Sequence, residues 1–405
     1  MEQTWRWFGD ADPISLDHVK QTGATGVVTS LHHVPVGQKW TNQDIENRKN
    51  DINAAGLDWS VCESIPVPDS IKRGDEHSGT LTDIWKDNLA LLGRAGVPVV
   101  CYNFMPVVDW TRTDLQYKLP SGGHALRFDL IDFIVYDLFV LARQGAEQSY
   151  ASSLIEKARR RAIDLKIEDG TQLEFNIIKG LPGGADPHTR QSLKDLIATF
   201  DGLTAADLRN NLFQFLREIV PVAQDVGVRL AIHPDDPPIS LFGLPRVVST
   251  AEDARRILSA VEHPANGLTM CVGSYGSRPD NDVLAMTREF AQRINFAHLR
   301  NVAMQPDGSF YEAEHLRGDT DMVGVIELLL REEKDAHITG RRNSIPMRPD
   351  HGHLLADDIN KKTNAGYSYI GRLKGLAELR GVIQALERRS EPTFSGLSLS
   401  RQAAT

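Results

Sequence analysis

Eight short runs of apolar and β-branched residues recur along the chain, and segments with helical periodicity separate them. Each run is too short for a helix and apolar enough to be buried on both faces, as a strand of a parallel sheet must be. Eight strands alternating with helices predict an α/β fold in which the strands close into a (β/α)8 TIM barrel. The runs are residues 4–9, 26–31, 58–64, 98–104, 229–234, 267–273, 294–301 and 344–350.

Helical segments fill the intervals between these runs. In segment 41–55, Thr41 and Asp44 have the spacing of a capping box, and Gly56 stands where a helix-ending glycine belongs. A doubly wound open sheet would also alternate strands with helices, but no glycine-rich dinucleotide fingerprint follows the first run. The closed barrel is therefore favoured. The other helical segments are 83–95, 205–226, 250–261, 282–293, 321–335 and 372–388.

One interval breaks this rhythm, because the stretch between the fourth and fifth runs is far longer than one crossover helix needs. We interpret 105–197 as an insertion over the mouth of the barrel, with 105–123 as a loop and 127–161 as a helix or helical hairpin. Such an insertion is a candidate lid or oligomer contact. Residues 1–388 then form one barrel domain, and the Ser-rich segment 389–405 is predicted to be a disordered tail.

Composition excludes several classes of partner. The chain has 45 Lys and Arg against 54 Asp and Glu, a formal net charge of −9, which argues against nucleic acid or an anionic membrane. No stretch approaches the ~18 apolar residues of a membrane span, and the amino terminus lacks the pattern of a signal peptide. Three cysteines in 405 residues make no disulfide framework. We expect a cytoplasmic homo-oligomer, specifically a dimer, that binds a small molecule.

Metal-binding side chains stand at the ends of the last four predicted strands. In barrel enzymes the reactive groups lie at the carboxyl ends of the strands, and neighbouring strands are about 4.8 Å apart. Two imidazoles, a thiolate and a carboxylate suit a divalent transition metal. Each residue alone has an ordinary structural explanation, such as a buried polar histidine or a small buried cysteine. Their occurrence on four adjacent strands favours one shared metal site, formed by His233, Cys271, His298 and Asp350.

Four sequence blocks resemble the signature blocks of the mannonate dehydratases of the hexuronate pathway, a family of xylose-isomerase-like TIM barrels. The resemblance extends over residues 4–385, nearly the whole chain. The blocks are residues 5–9 (WRWFG), 233–238 (HPDDPP), 271–274 (CVGS) and 348–352 (RPDHG). The resemblance implies a hydro-lyase that converts D-mannonate to 2-keto-3-deoxy-D-gluconate with one divalent ion, Mn²⁺ or Fe²⁺.

The same resemblance implies roles for particular residues. His233, Cys271, His298 and Asp350 match the family's metal ligands. His351 and Tyr367 match its catalytic pair, which removes the proton at C2 and assists the loss of hydroxide from C3. The sequence leaves open which of the two is the acid and which the base. Because the family pattern continues Gly-Tyr with Gly and this chain reads Gly366-Tyr367-Ser368-Tyr369, Tyr369 is an alternative to Tyr367.

Three further residues are predicted to contact the substrate. Arg348 could clamp its carboxylate in a bidentate pair or form an internal ion pair in the barrel. His315 lies on the loop after the seventh strand, in a stretch that resembles a family loop block. His33, after the second strand, could bind hydroxyl groups or be only solvated.

Two other functions fit the same scaffold. A sugar isomerase or a phosphodiesterase-type hydrolase would be expected to use a carboxylate-rich site, and a cysteine ligand beside a single carboxylate disfavours both. A catalytically silent protein that only binds sugar acids would be expected to have lost a ligand or His351, and the sequence retains all of them. The fold alone would not separate these functions, so the prediction depends on the site.

Overall fold

A closed barrel of eight parallel strands forms the centre of the protein in a computed structural model, which describes residues 1–178, 189–340 and 344–390. With strands numbered along the chain, the order around the barrel is β1-β12-β9-β8-β7-β4-β3-β2. Each predicted run contains or overlaps one of these strands, so the predicted TIM barrel is confirmed. The barrel strands are β1 (Glu2–Arg6), β2 (Gly26–Thr29), β3 (Asp58–Glu63), β4 (Val99–Tyr102), β7 (Arg229–Ile232), β8 (Asn266–Cys271), β9 (Ile294–His298) and β12 (Pro346–Arg348).

A second sheet of four strands, here called the accessory sheet, has the order β10-β11-β6-β5, and its paired strands are antiparallel. Two of its strands come from the chain between β4 and β7, and two follow barrel strand β9. Register pairs such as Phe310 with Phe128 join these distant parts of the chain. The strands are β5 (Asp114–Lys118), β6 (His124–Phe128), β10 (Asn301–Met304) and β11 (Phe310–Ala313).

Helices connect the strands and begin where the capping residues predict. Thr41 accepts a hydrogen bond from the backbone N–H of Asp44, as the capping-box spacing predicts. None of the helices in the described ranges has both the length and the apolar character of a membrane span. The helices are α1 (Leu16–Gln21), α2 (Asn42–Ala54), α3 (Asp69–Arg73), α4 (Ser78–Arg94), α5 (Leu130–Val135), α6 (Ser152–Ile163), α7 (Ile167–Ile178), α8 (Arg190–Ala198), α9 (Ala205–Asp225), α10 (Ala251–Ala260), α11 (Val272–Gly276), α12 (Val283–Phe290), α13 (Met322–Ile338) and α14 (Tyr369–Ser390).

The structure corrects two local predictions between β4 and β7. Segment 105–123 is not only a loop, because it contains β5. Segment 127–161 is not one long helix, but it contains two helical stretches, 130–140 and 152–163, that contact each other as a hairpin would. Its first residues belong to β6, and short helical pieces separate α5 from α6. These strands are short and carry mixed polar and apolar residues, so neither helical nor strand periodicity marks them clearly. The predicted tail 389–405 lies outside the described residues from 391 onward, and its first two residues belong to α14.

Apolar packing fixes both layers of the molecule. Inside the barrel, small and β-branched residues surround the ring of Phe296, and a larger apolar layer lies between the strands and the outer helices. A separate apolar cluster beneath the accessory sheet includes Phe128, Phe133, Phe242 and Phe310. Because this cluster contains residues from β6 and β11 together, it holds the accessory sheet in place at the barrel.

Helix α14 begins in close contact with the loop after β12, and this contact generates a stability prediction. A methyl group at Gly371 would collide with the backbone carbonyl oxygen of His353, whereas one at Gly381 would meet no atom within 4 Å. We expect Gly371→Ala to lower the free energy of unfolding by about 1–3 kcal/mol, the usual cost of overpacking. Gly381→Ala, the matched control in the same helix, should raise it by about 0.5–1 kcal/mol. Chemical denaturation of both variants measures this, and equal effects would contradict the close contact.

Candidate active site

A cavity of about 690 Å³ opens at the carboxyl ends of the barrel strands. This is the end of a TIM barrel at which catalytic groups are found. Its polar lining comes from both halves of the barrel. Side chains near the ends of β1, β3, β7 and β12 contribute to it, as does the loop after β2. Among the lining residues are Arg6, His32, His33, Glu63, His233, Arg348, Asp350, His351 and Tyr367.

Three of the four predicted metal ligands converge at the base of this region. His233, Cys271 and His298 each offer one ligand atom, and these atoms lie within 4.8 Å of one another. Nε2 of His233 is 3.2 Å from Nδ1 of His298. Two nitrogens about 2.1 Å from one ion are separated by about 3.0–3.4 Å at tetrahedral or octahedral angles. The donor types and their spacing therefore fit a divalent transition metal ion.

Asp350, the fourth predicted ligand, lies at the edge of this group. One carboxylate oxygen, Oδ2, is 3.9 Å from the sulfur of Cys271, and the other, Oδ1, is 3.9 Å from Nδ1 of His298. The residue has a left-handed backbone conformation, with φ of 66°, that turns the chain after β12. Arg300 and Arg348 bind its two oxygens at 2.6 and 2.5 Å. Although burial opposes ionisation, the charges of Arg348 and its neighbours hold the pKa of Asp350 well below its usual range.

A second group of donors, formed by Glu63, Cys101 and His298, shares a histidine with the first. The guanidinium of Arg348 already bonds two of its three members. Nη2 donates to Oε1 of Glu63 at 3.0 Å, and Nε donates to Nε2 of His298 at 3.0 Å. Because a protein cation satisfies this second group, the first group is the better candidate metal site.

The two histidines of the candidate metal site lie in opposite electrostatic surroundings. Burial, followed by the positive charge of Arg348, lowers the pKa of His298 well below its usual value, so the imidazole is neutral. While Nε2 accepts from Arg348, the hydrogen of the ring lies on Nδ1, so binding an ion through Nδ1 would require that hydrogen to move to Nε2 and the contact with Arg348 to open. For His233, burial also opposes charge, but the Cys271 sulfur and nearby carboxylates outweigh it and raise the pKa to about 9. The Cys271 sulfur and the nearby carboxylates therefore stabilise a positive charge at His233.

The predicted catalytic pair lies together in the cavity. The rings of His351 and Tyr367 are 5.0 Å apart at 80°, and both side chains are buried. Nδ1 of His351 bonds the carboxylate of Glu312 at 2.8 and 3.0 Å, and its Nε2 is 3.9 Å from Oδ1 of Asp350. Burial raises the pKa of Tyr367 to about 12 despite the nearby charge of Arg348, so its phenol is protonated at neutral pH.

Tyr369, the alternative to Tyr367, lies elsewhere. Its hydroxyl donates to the backbone carbonyl of His18 at 3.1 Å, and its ring packs against Trp5 at 5.9 Å. Among the described residues it is not part of the cavity lining. The geometry therefore favours Tyr367 over Tyr369 as the tyrosine that can reach a substrate.

The three predicted substrate contacts have different environments. Arg348 lines the cavity, where Nε and Nη2 donate to His298 and Glu63 and Nη1 forms an ion pair with Asp350. His315 is buried away from the cavity lining, with Nε2 2.9 Å from the carbonyl oxygen of Pro349. The side chain of His33 is half-exposed at the cavity edge, with Nε2 3.5 Å from Asp44. Of the three, only His33 has a side chain both at the cavity and open to solvent.

Sequence reasoning missed a buried network of charges around the site. Glu63 ends barrel strand β3, so the rule that predicted the metal ligands would also have selected it. Glu312 belongs to the accessory sheet and begins the stretch that resembles a family loop block, but only His315 of that stretch was predicted to act. Arg112 belongs to the loop before the accessory sheet, and no motif marks it. The members are Arg6, Arg112, Arg300 and Arg348 with Glu63, Asp236, Glu312 and Asp350.

The fold and site together define the class of protein. An eight-stranded barrel with a candidate metal centre and an adjoining histidine–tyrosine pair in its cavity is that of a TIM-barrel enzyme. The chain belongs to the D-mannonate dehydratase (UxuA) family, whose model matches residues 1–392. The family resemblance of the four sequence blocks is thereby confirmed.

Individual relatives match over nearly their full length. Mannonate dehydratase 2 of Agrobacterium fabrum is 61% identical over 389 residues, which are 96% of this chain and 98% of the relative. The mannonate dehydratase of Saccharophagus degradans is 54% identical over the same shares of both chains. The crystal structure of a mannonate dehydratase from Streptococcus suis serotype 2 superimposes with a TM-score of 0.76 at 35% identity and covers 97% of each chain.

Glu63 generates a prediction about acid stability. Burial alone would raise its pKa, but positive charge, chiefly that of Arg348, lowers the pKa to about 2. In the unfolded chain a glutamate has a pKa near 4.3. The ionised carboxylate therefore stabilises the folded state above about pH 4.3, and this contribution is lost as the pH falls to about 2.

We expect the Glu63→Gln variant to be less stable than wild type at pH 7, with a difference that shrinks between about pH 4.3 and 2. Unfolding free energies measured across this range test the expectation. Glu46→Gln, a substitution at an exposed site, is the control and should cost little at any pH. A Glu63→Gln difference that is constant with pH would contradict the ion-pair account.

Proposed function

We propose that the protein catalyses the dehydration of D-mannonate to 2-keto-3-deoxy-D-gluconate, a hydro-lyase reaction of hexuronate catabolism, with one divalent ion, Mn²⁺ or Fe²⁺. The observation that carries the proposal is the convergence of the His233, Cys271 and His298 donor atoms beside Asp350, with His351 and Tyr367 in the adjoining cavity. Family membership supports the substrate class, a six-carbon sugar acid.

In this proposal His233, Cys271, His298 and Asp350 hold the ion. Bound to the carboxylate of the substrate, it would stabilise the negative charge that develops when the C2 proton leaves. The charges of the site support a dication. The four arginines and four carboxylates of the buried network balance. A Cys271 thiolate and a substrate carboxylate would then add two negative charges.

His351 is proposed as the base. Its Nδ1 is bound to Glu312, which leaves Nε2 to accept the proton from C2. The electron pair of the C2–H bond forms the C2–C3 double bond as the C3–O bond breaks. Imidazole suits this role because the free nitrogen of a neutral ring can accept a proton.

Tyr367 is proposed as the acid that protonates the leaving hydroxyl, so that water departs. A phenol whose pKa is about 12 is more acidic than water, whose pKa is about 15.7, so this transfer is downhill. The resulting enol then ketonises by moving the O2 proton to C3. The proton gained by His351 finally returns to Tyr367, so the reaction releases one water and leaves the enzyme unchanged.

The other predicted substrate contacts take different roles in this proposal. Arg348 positions the ligands Asp350 and His298, because its donors already bind them and Glu63. His315 supports the loop that carries Asp350 through its bond to the carbonyl of Pro349. His33 remains the proposed contact for a substrate hydroxyl at the cavity edge.

We further propose that residues 1–388 act as one catalytic domain and that the segment 105–197 covers the mouth of the barrel. The three cysteines are buried and form no disulfide, which suits a reducing cytoplasm. A homodimer is the proposed assembly, which analytical ultracentrifugation would test.

The catalytic pair generates a prediction with an internal control. We expect His351→Asn and Tyr367→Phe to retain the metal and bind D-mannonate, while turnover falls by roughly 10²–10⁴-fold, the effect of losing a general acid or base. Tyr369→Phe should have a mild effect because its hydroxyl bonds the backbone of His18.

Metal analysis of anaerobically purified protein and a colorimetric assay for 2-keto-3-deoxygluconate measure these effects. A wild-type enzyme that forms no such product from D-mannonate would refute the proposed function. A His351→Asn variant that loses the metal would identify His351 as a ligand instead.

The thiolate generates a prediction about metal preference. A soft sulfur ligand favours later metals, so the wild-type site should bind Zn²⁺ more tightly than Mn²⁺. Cys271→Ser should weaken the binding of both ions and reduce this preference. Cys101→Ser is the matched control, because that buried thiol belongs to the donor group already occupied by Arg348. Calorimetric titration of metal-free protein tests this, and an equal effect of the two substitutions would exclude Cys271 as the specific ligand.

A further inference from the structure

Glu312 connects the accessory sheet to the histidine at the centre of the proposed chemistry. It lies on β11, and both of its carboxylate oxygens are within hydrogen-bond distance of Nδ1 of His351, at 2.8 and 3.0 Å. The backbone carbonyl of Glu312 also bonds Nε2 of His353 at 2.8 Å. One residue of the accessory sheet therefore holds the loop after β12 at two points.

The carboxylate of Glu312 is held as an anion. Arg112 binds Oε1 at 2.9 Å and Arg300 binds it at 3.3 Å. Burial opposes ionisation, but His351 and these two arginines outweigh it and lower the pKa of Glu312 to about 2. An ionised carboxylate can only accept hydrogen bonds, so Nδ1 of His351 must carry the hydrogen.

This hydrogen bond determines which nitrogen of His351 can react. In a neutral imidazole with a hydrogen on Nδ1, the lone pair is on Nε2. The ring is also confined by edge-on contacts with Trp110 at 5.9 Å and Tyr367 at 5.0 Å. Glu312 thus controls the tautomer of the imidazole, while the aromatic rings limit its rotation.

We propose that Glu312 is a positioning residue that fixes the tautomer and orientation of His351, so that Nε2 is presented to the C2–H bond of the substrate. The inference rests on the proposed function. It assigns a role to the accessory sheet, which is to carry the carboxylate that bonds Nδ1 of His351. Glu312 acts through His351 and does not contact the substrate itself.

Two substitutions test this role. Glu312→Gln keeps the shape of the side chain but removes its charge, and its amide can donate to Nδ1 and favour the wrong tautomer. Glu312→Asp keeps the charge near Arg112 and Arg300 but is one methylene shorter, so it withdraws the carboxylate from Nδ1. Glu314→Gln is the matched control, because Glu314 lies two residues further along, is partly exposed and pairs with Lys374.

We expect both Glu312 variants to stay folded with an unchanged metal content and KM, while kcat falls by roughly 10–10²-fold. Glu314→Gln should keep wild-type kcat. In the His351→Asn background, Glu312→Gln should lower kcat by no more than about 2-fold, because residues that act as a unit are not additive. The proposal would be overturned if Glu312→Gln lowered kcat by the same factor in the wild-type and His351→Asn backgrounds. A near wild-type kcat for both Glu312 variants would also overturn it.

A spectroscopic measurement gives a readout that does not depend on turnover. In the NMR spectrum of protein with ¹⁵N-labelled histidine, a carboxylate-bound Nδ1–H should give a strongly downfield proton signal. The signal is assigned to His351 if the His351→Asn variant lacks it. We expect this signal in wild type and Glu314→Gln, and we expect its loss in Glu312→Gln. Persistence of the signal in Glu312→Gln would overturn the positioning role even if that variant were slow.

A wild-type protein that shows the signal but does not dehydrate D-mannonate would refute the proposed function alone. Loss of bound metal in both Glu312 variants would also overturn the proposal, because Glu312 would then act through Arg300 and Asp350.

Discussion

A continuous network of buried ion pairs is the interaction on which the site depends. A buried charge without a partner costs several kcal/mol, so charges survive in the barrel mouth only if each is paired. Here every carboxylate of the network bonds two arginines, so removing one carboxylate leaves two arginines without full compensation. The network connects Arg6 to Glu63, Glu63 to Arg348, Arg348 to Asp350, Asp350 to Arg300, and Arg300 through Asp236 and Glu312 to Arg112.

The accessory sheet completes this network from outside the barrel. Barrel strands β3 and β12 supply Glu63 and Arg348. The segments that follow β7, β9 and β12 supply Asp236, Arg300 and Asp350. Glu312 comes from β11 and Arg112 from the loop before β5, so their pairing depends on the contact between β6 and β11. Apolar packing of the rings of Phe128 and Phe310, 5.7 Å apart, therefore has an electrostatic consequence. It places the charges of Glu312 and Arg112 beside Arg300 and Asp236 at the barrel.

The barrel and the clustering of three of the predicted metal ligands could be predicted from the sequence because both follow one rule. Parallel strands read as short apolar runs, and their carboxyl ends meet at one face, so His233, Cys271 and His298 could be placed together from spacing alone. Glu63 obeys the same rule and could have been found. Glu312 could not, because its position is set by antiparallel pairing between distant segments whose short strands show no clear alternation. Local periodicity carries no information about such pairing.

The balance of charges has a consequence for how ion and substrate bind. The four arginines and four carboxylates of the network cancel, and a cationic His233, whose pKa is raised to about 9, would cancel a Cys271 thiolate. A dication that displaced the His233 proton would leave one excess positive charge, and the carboxylate of a sugar acid would restore neutrality. In the proposed site each partner would thus bind more favourably when the other is present, and thermodynamic linkage makes such coupling reciprocal. The protein network does not neutralise the substrate by itself, because Arg348 and Arg300, the cations nearest to Asp350, are already committed to it.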